Sequence, residues 1–193
     1  MERRNPRPVE MMPDPPYVQV LFSSTRFAWL WTLIRLYVGW SWFQAGLGKV
    51  GSPAWASGAA VQGFWSRAVE IPETGKAVIT YDWYRVFLTY LLENGHYRWM
   101  GPLIAWGELL VGIALLIGAL TGIAAFFGAL MNFSFMLAGT ASTNPVLFFF
   151  SILLMQAWKV AGWYGVDRWL LPLLGTPWKP GQLFQQEGER KQA

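Results

Sequence analysis

Cysteine is absent from the 193 residues, and histidine occurs once, at His96. The missing thiols exclude disulfides, thiolate metal sites, iron–sulfur ligation and covalent haem attachment. A single imidazole excludes bis-histidine haem and a histidine-rich metal centre. This chain is thus expected to ligate no metal or haem, and any such redox group would belong to a partner. Charge is also scarce: 13% of residues are Asp, Glu, Lys or Arg, against 54% apolar, whereas soluble domains carry roughly 25% charged residues. Between Phe27 and Gly48 the one ionised side chain is Arg35, and between Trp99 and Trp158 it is Glu108. Such stretches cannot form a water-facing surface. The net charge of +4 does not signal nucleic acid, because the basic residues sit at the chain ends and in one loop, with no run interleaved with aromatics.

What the chain does have is long apolar segments. They predict an all-α membrane protein, a bundle of four transmembrane helices with an amphipathic helical insertion between the first and second spans. The first span is expected at Phe27–Lys49, with Trp29 and Trp31 in the interfacial belt. The second is expected at Trp99–Leu120, and the third at Gly122–Gly139, joined to the second by a tight turn. The fourth is expected at Val146–Trp163, after an Asn144-Pro145 helix start. Met1–Pro16, with Arg3, Arg4 and Arg7 among prolines, lacks a signal peptide's apolar core and cleavage site. The expected organisation is a tail over 1–25, a membrane domain over 26–175 with the insertion at 52–97, and a polar tail over 176–193.

Within the insertion, Ala54–Val69 reads as a weak helix and Asp82–Glu93 as a stronger one. Trp83, Val86, Phe87, Tyr90 and Leu91 follow helical spacing on one face. Such a helix lies on the membrane surface or caps the bundle. Val166–Leu174 has a similar amphipathic character. Eight basic residues lie on the terminal side of the spans and five on the insertion side. The positive-inside rule then places both termini in the cytoplasm, with the protein in the inner or plasma membrane.

Small residues mark where helices approach in lipid. Arg35, Gly39, Trp42, Gly46 and Lys49 share one face of the first span. Gly101, Ala105, Glu108 and Gly112 do so on the second, and Ala125, Gly128, Ala129, Asn132 and Gly139 on the third. Gln156 and Lys159 sit near Gly162 on the fourth. An ionised group in the bilayer centre costs roughly 2.5–3.5 kcal/mol on insertion scales and needs a partner. Depth counted from the span ends predicts that Arg35 pairs with Glu108. That pair is either bundle glue or part of a pocket. Lys159 then snorkels to the interface, joins Glu108, or leaves a positive excess suited to an anion or to quinone oxygens.

Arg35-Leu-Tyr-Val-Gly-Trp-Ser-Trp-Phe-Gln-Ala-Gly-Leu-Gly-Lys49 resembles the first-helix signature of the DoxX/DoxD family. Gly107-Glu108-Leu-Leu-Val-Gly-Ile-Ala-Leu-Leu-Ile-Gly118, the stretch Asn132–Gly139 and Lys159-Val-Ala-Gly-Trp-Tyr-Gly-Val-Asp167 extend the resemblance over residues 26–172. It implies a four-helix membrane bundle. The best-described members are large subunits of thiosulfate:quinone oxidoreductase, which oxidise thiosulfate to tetrathionate and pass electrons to quinone with a small partner subunit. The implied substrates are a quinone and a small sulfur oxyanion, and the implied partners are lipid and other subunits of a membrane complex. The candidate catalytic residues are Glu108, for protons, and Arg35. The candidate ligand contacts are Arg35, Asn132, Lys159, Gln156 and Trp42. Two other readings stand beside this one. The first is a non-catalytic accessory subunit of a respiratory or photosynthetic complex. The second, a transporter or channel, has less behind it, because the spans suggest no broken helix.

Overall fold

The computed structural model describes residues 14–174. The expectations for the basic stretch before Asp14 and for the polar tail after Leu174 lie outside the described residues. Ten α-helices follow in order: α1 Pro16–Ser23, α2 Ala28–Val50, α3 Pro53–Ala56, α4 Ala59–Val69, α5 Asp82–Glu93, α6 Tyr97–Ile117, α7 Thr121–Leu137, α8 Asn144–Gln156, α9 Trp158–Ala161 and α10 Asp167–Leu173. Among the described residues there is no strand. Among the described residues one helix, α6, is long and apolar enough to cross a membrane, and α7 and α8 are apolar but shorter.

Helix α1 falls where a tail was expected. Pro15 and Pro16 start it, and its Phe22 ring lies 5.0 Å from that of Trp31. Trp31 Nε1 donates to the Leu21 carbonyl at 2.7 Å, so Trp31 is buried. Only Trp29 of the two expected belt residues faces outward.

Helices α2 and α6 form the central antiparallel pair, and two glycines set their register. A Cβ on Gly46 would fall on the Leu109 backbone, and one on Gly112 on the Phe43 backbone. Only a hydrogen fits there, so the backbones touch. Gly39 faces Leu115 in the same register. Helices α7 and α8 pack as a second pair, with the Phe133 and Phe148 rings stacked at 5.9 Å. The expected fourth span is interrupted at Ala157, which separates α8 from α9. The main core gathers Trp31, Val38, Trp42, Val111, Leu115, Ala125, Leu147 and Leu154.

The insertion folds onto one end of these helices. The expected Ala54–Val69 helix breaks into α3 and α4 at Gly58, whose φ of +81° suits glycine and whose missing side chain leaves room for the Tyr97 carbonyl. Helix α5 occupies Asp82–Glu93 as expected, but its inward residues are Tyr84, Leu88 and Leu91. They build a second core with Val61, Trp65 and Ala68 of α4. Tyr84 donates its hydroxyl to the Ser134 carbonyl at 2.9 Å and ties the insertion to α7. Of the stripe expected from helical spacing, Trp83, Val86, Phe87 and Tyr90 are exposed and only Leu91 is buried. Periodicity found an apolar face without telling which way it turns.

The longer helices carry apolar outer faces and enclose a few polar side chains within an apolar core. Trp99, Leu103, Trp106, Leu110, Ile113 and Ile117 make an exposed stripe along the whole of α6. Phe126, Phe127, Leu130 and Phe133 do so on α7. The buried polar side chains are Arg35, Glu108, Thr121, Asn132, Ser151 and Asp167.

Candidate functional site

Two ionic centres lie inside the molecule, at opposite ends of the α2–α6 pair. The first surrounds Arg35. Its Nε donates to the Ala161 carbonyl at 3.0 Å and its Nη2 to that of Tyr164 at 3.2 Å. Nη1 donates to the carbonyls of Leu115 and Leu116. The guanidinium thus closes the C-terminal ends of α6 and α9, where carbonyls lack helical partners and the helix dipole favours a cation. Asp167 does the reverse at the start of α7. Its carboxylate accepts from the Leu120 and Thr121 amides at 2.5 and 2.8 Å, where the dipole favours an anion. This holds Leu120 at its positive φ of 49°. Gly118, at φ +69°, passes beside Arg35 with no room for a side chain. The centre is a tie between the α6–α7 turn and the segment after α9.

The expected Arg35–Glu108 pair does not form. With Gly46 on Leu109 and Arg35 against Gly118, the two residues sit about ten positions apart along the pair, roughly 15 Å at 1.5 Å per residue. Glu108 instead forms an ion pair with Lys49, through Oε2.

The Lys49–Glu108 pair marks the second centre, at the insertion end. Lys49 Nζ also sits 4.9 Å from the Trp55 ring, a cation–π contact. The pair lines a cavity of about 650 Å³ between α2, α4, the end of α7 and the start of α8. That volume lies within the range of small-molecule pockets. Trp42, Ala45, Phe64, Phe135 and Leu147 give it apolar walls, and Arg67 adds a second cation. With Lys49 and Arg67 against Glu108, the lining carries one positive charge in excess.

Several polar atoms at this end are buried without a protein partner: Glu108 Oε1, Trp42 Nε1, and both amide atoms of Asn132. Trp42 Nε1 lies against Gly128, one turn before Asn132 on α7. Ser151 Oγ, on the neighbouring α8, is in the same condition. A buried polar atom left unpaired costs about 1–3 kcal/mol. Two of these atoms, Glu108 Oε1 and Trp42 Nε1, belong to residues that line the cavity, the chemistry of a site that receives a polar ligand. The carboxylate oxygen can accept a hydrogen bond or a proton, the indole can donate, and the Asn132 amide can do both.

The structure therefore brings Trp42 and Glu108 to one cavity, with Asn132 buried close by. Arg35 stands apart at the other centre. Gln156 and Lys159 are exposed, with Lys159 Nζ lying 5.8 Å from the Trp158 ring. Gln156 ends the unbroken α8 on the side away from its buried Leu147, Ser151 and Leu154, and Lys159 lies in α9, beyond the break at Ala157. Sequence reasoning placed Lys49 on the correct face but outside the site, and it missed Arg67, Trp55 and Asp167. The signal for Lys49 was present, because it continues the Arg35–Gly39–Trp42–Gly46 face to the end that meets Glu108. Among the described residues no three His, Asp or Glu side chains gather to hold a metal ion. Comparisons with family models, with curated proteins and with solved structures gave no match.

Proposed function

We propose that this chain is a four-span membrane subunit of a quinone-linked oxidoreductase, akin to DoxD, and that the cavity beside Lys49 and Glu108 receives its substrate. The observation that carries the reading is the unpartnered Glu108 Oε1 at the wall of a cavity with a cationic excess. Support for the spans is the apolar outer face of the helices. An exposed apolar surface of this extent marks lipid or protein contact, and buried charges in a bundle interior mark function or structural ties. The spans are α2, α6, α7 and α8 continued by α9, with both termini on the cytoplasmic side.

In this reading Lys49 and Arg67 hold the oxygen atoms of an oxyanion or a quinone. The apolar wall along Trp42, Ala45 and Leu147 takes the ring or an isoprenoid tail. Reduction of a quinone to its quinol takes up two electrons and two protons. Glu108 is placed to pass protons, and the electrons come from thiosulfate, two of which join as tetrathionate. A partner chain completes the enzyme.

The test is thiosulfate-dependent reduction of a short-chain quinone by the purified subunit with its co-purifying partners in nanodiscs. Activity that drops at least tenfold in Glu108→Gln, with the fold intact, supports the proposal. A preparation that neither binds nor reduces quinone refutes it. The rival reading, an accessory subunit docked by the aromatic outer face of α2, draws on the exposed Trp29, Tyr37 and Trp40. Mild-detergent purification separates the two, since a species free of large partners removes the accessory reading.

A further inference from the structure

Helix α5 has three faces. Tyr84, Leu88 and Leu91 pack on α4. Asp82 and Arg85 pair with each other along a polar side. The remaining face, Trp83, Val86, Phe87 and Tyr90, is apolar and exposed at 48–67%. Burial within the chain explains the first face and hydration the second. Neither explains the third.

Its aromatic edge runs on to the outer face of α6. The Tyr90 ring lies 6.0 Å from His96, and His96 lies 5.9 Å from Trp99. Trp99 Nε1 donates to His96 Nδ1 at 3.0 Å. Trp99 heads the exposed apolar stripe that continues through Leu103, Trp106 and Leu110 to Ile117. Whatever medium covers that stripe therefore reaches α5 at the level of Trp99. The residue types suit a bilayer boundary, where Trp and Tyr settle with an apolar body and a polar rim.

We infer that α5 lies in the plane of the membrane interface, its Trp83–Val86–Phe87–Tyr90 face sunk into lipid at the insertion end of the bundle. The inference rests on the four-span reading, which makes the α6 stripe lipid-facing. It has a consequence for the cavity. Helix α4 is held by α5 on one side, while its Ala60, Gly63, Phe64 and Arg67 line the cavity on the other. The cavity wall is thus anchored to the bilayer surface, at the level where an amphiphilic ligand leaves the lipid.

The absence of cysteine makes the test direct. Single substitutions Val86→Cys, Tyr90→Cys, Asp82→Cys and Leu110→Cys in the full chain are spin-labelled and reconstituted into phospholipid vesicles. Collisions with oxygen, which concentrates in lipid, are compared with those of a water-soluble nickel chelate. At Val86 and Tyr90 the oxygen-to-nickel ratio should match that at Leu110 and exceed that at Asp82 several-fold. A low ratio at Val86 and Tyr90 with a high ratio at Leu110 overturns the inference and leaves the spans standing. Shielding from both reagents at Val86 and Tyr90 overturns it in favour of a protein partner. A low ratio at Leu110 itself overturns the four-span reading, and the inference with it.

Discussion

Removing either partner of the Lys49–Glu108 pair should have very unequal effects. The Lys49 side chain is 23% exposed and that of Glu108 only 1%. Lys49→Met leaves a carboxylate enclosed in the bundle with neither oxygen paired, because Oε1 already has no partner. Stripping the partner from a buried charge costs about 3–5 kcal/mol. Glu108→Gln leaves an ammonium at the mouth of the cavity, still in contact with the Trp55 ring and with water in reach, so about 1 kcal/mol is expected. The double variant Lys49→Met/Glu108→Gln has no stranded charge. It should lose only about 1–2 kcal/mol, because removing both charged partners avoids the penalty of stranding one. The coupling between the sites would then be about 2–5 kcal/mol in favour of the double variant over the sum of the singles. Equilibrium unfolding in mixed micelles, followed by far-UV circular dichroism, measures all four forms. If Glu108→Gln proves as damaging as Lys49→Met, or if the double variant is the worst of the set, Glu108 is not a buried charge neutralised by Lys49.

Three further perturbations test the fold. Gly46→Ala puts a methyl onto the Leu109 backbone, whereas the same change at Gly48 meets nothing within 4 Å; the first should cost about 1–3 kcal/mol and the second almost nothing, as read from thermal unfolding in detergent. Arg35→Lys replaces a fork that reaches four carbonyls by one ammonium, and stranding a carbonyl should cost about 1–3 kcal/mol; an unchanged melting temperature would remove Arg35 as the tie. Burial pushes the Tyr84 phenol above the ordinary value of 10.0. The folded state holds this proton more tightly than the unfolded one, so the stability it brings is present below about pH 10 and lost as pH rises through the folded value. Tyr84→Phe should flatten that alkaline fall in a pH series of unfolding midpoints.

Much of the helix order was legible because it follows from local chemistry. The limits of α5, Asp82–Glu93, followed from the helical spacing of its apolar residues. The inward faces of α2, α6 and α7 came from small residues at helical spacing, and Gly39, Gly46, Gly112 and Gly128 are all enclosed as expected. What stayed hidden is pairwise. Counting depth from the ends of apolar runs set Arg35 level with Glu108. The true register is fixed by which backbone each glycine touches, and a single sequence does not state that. Gln156 faces outward within the unbroken α8, whose buried side is Leu147, Ser151 and Leu154, while Lys159 follows the break at Ala157, which spacing rules do not foresee. Asp167 looked like one more charge in an interfacial segment, yet it caps α7 from 46 positions away. The stripe on α5 was visible as a stripe, but Tyr84 and Leu88 extend the apolar arc, and the half that packs depends on where α4 lies.

The two ionic centres also show why buried charge alone does not identify a site. Arg35 and Asp167 are as deeply enclosed as Glu108, yet their hydrogen-bonding atoms are taken up by carbonyls and amides at helix ends. A group so satisfied gains nothing from a ligand and loses much by moving, which is the behaviour of a structural tie. Glu108 meets Lys49 with one oxygen and leaves the other unpaired, and with Trp42 it lines a cavity large enough for a substrate. Folding has already met the cost of that arrangement, so a ligand that completes it regains the difference on binding. Thr121 Oγ1 is also unpaired, beside Asp167, but a hydroxyl carries no charge; an unmatched carboxylate oxygen on a residue lining a roomier cavity is what marks the Glu108 end as the end where chemistry is to be sought.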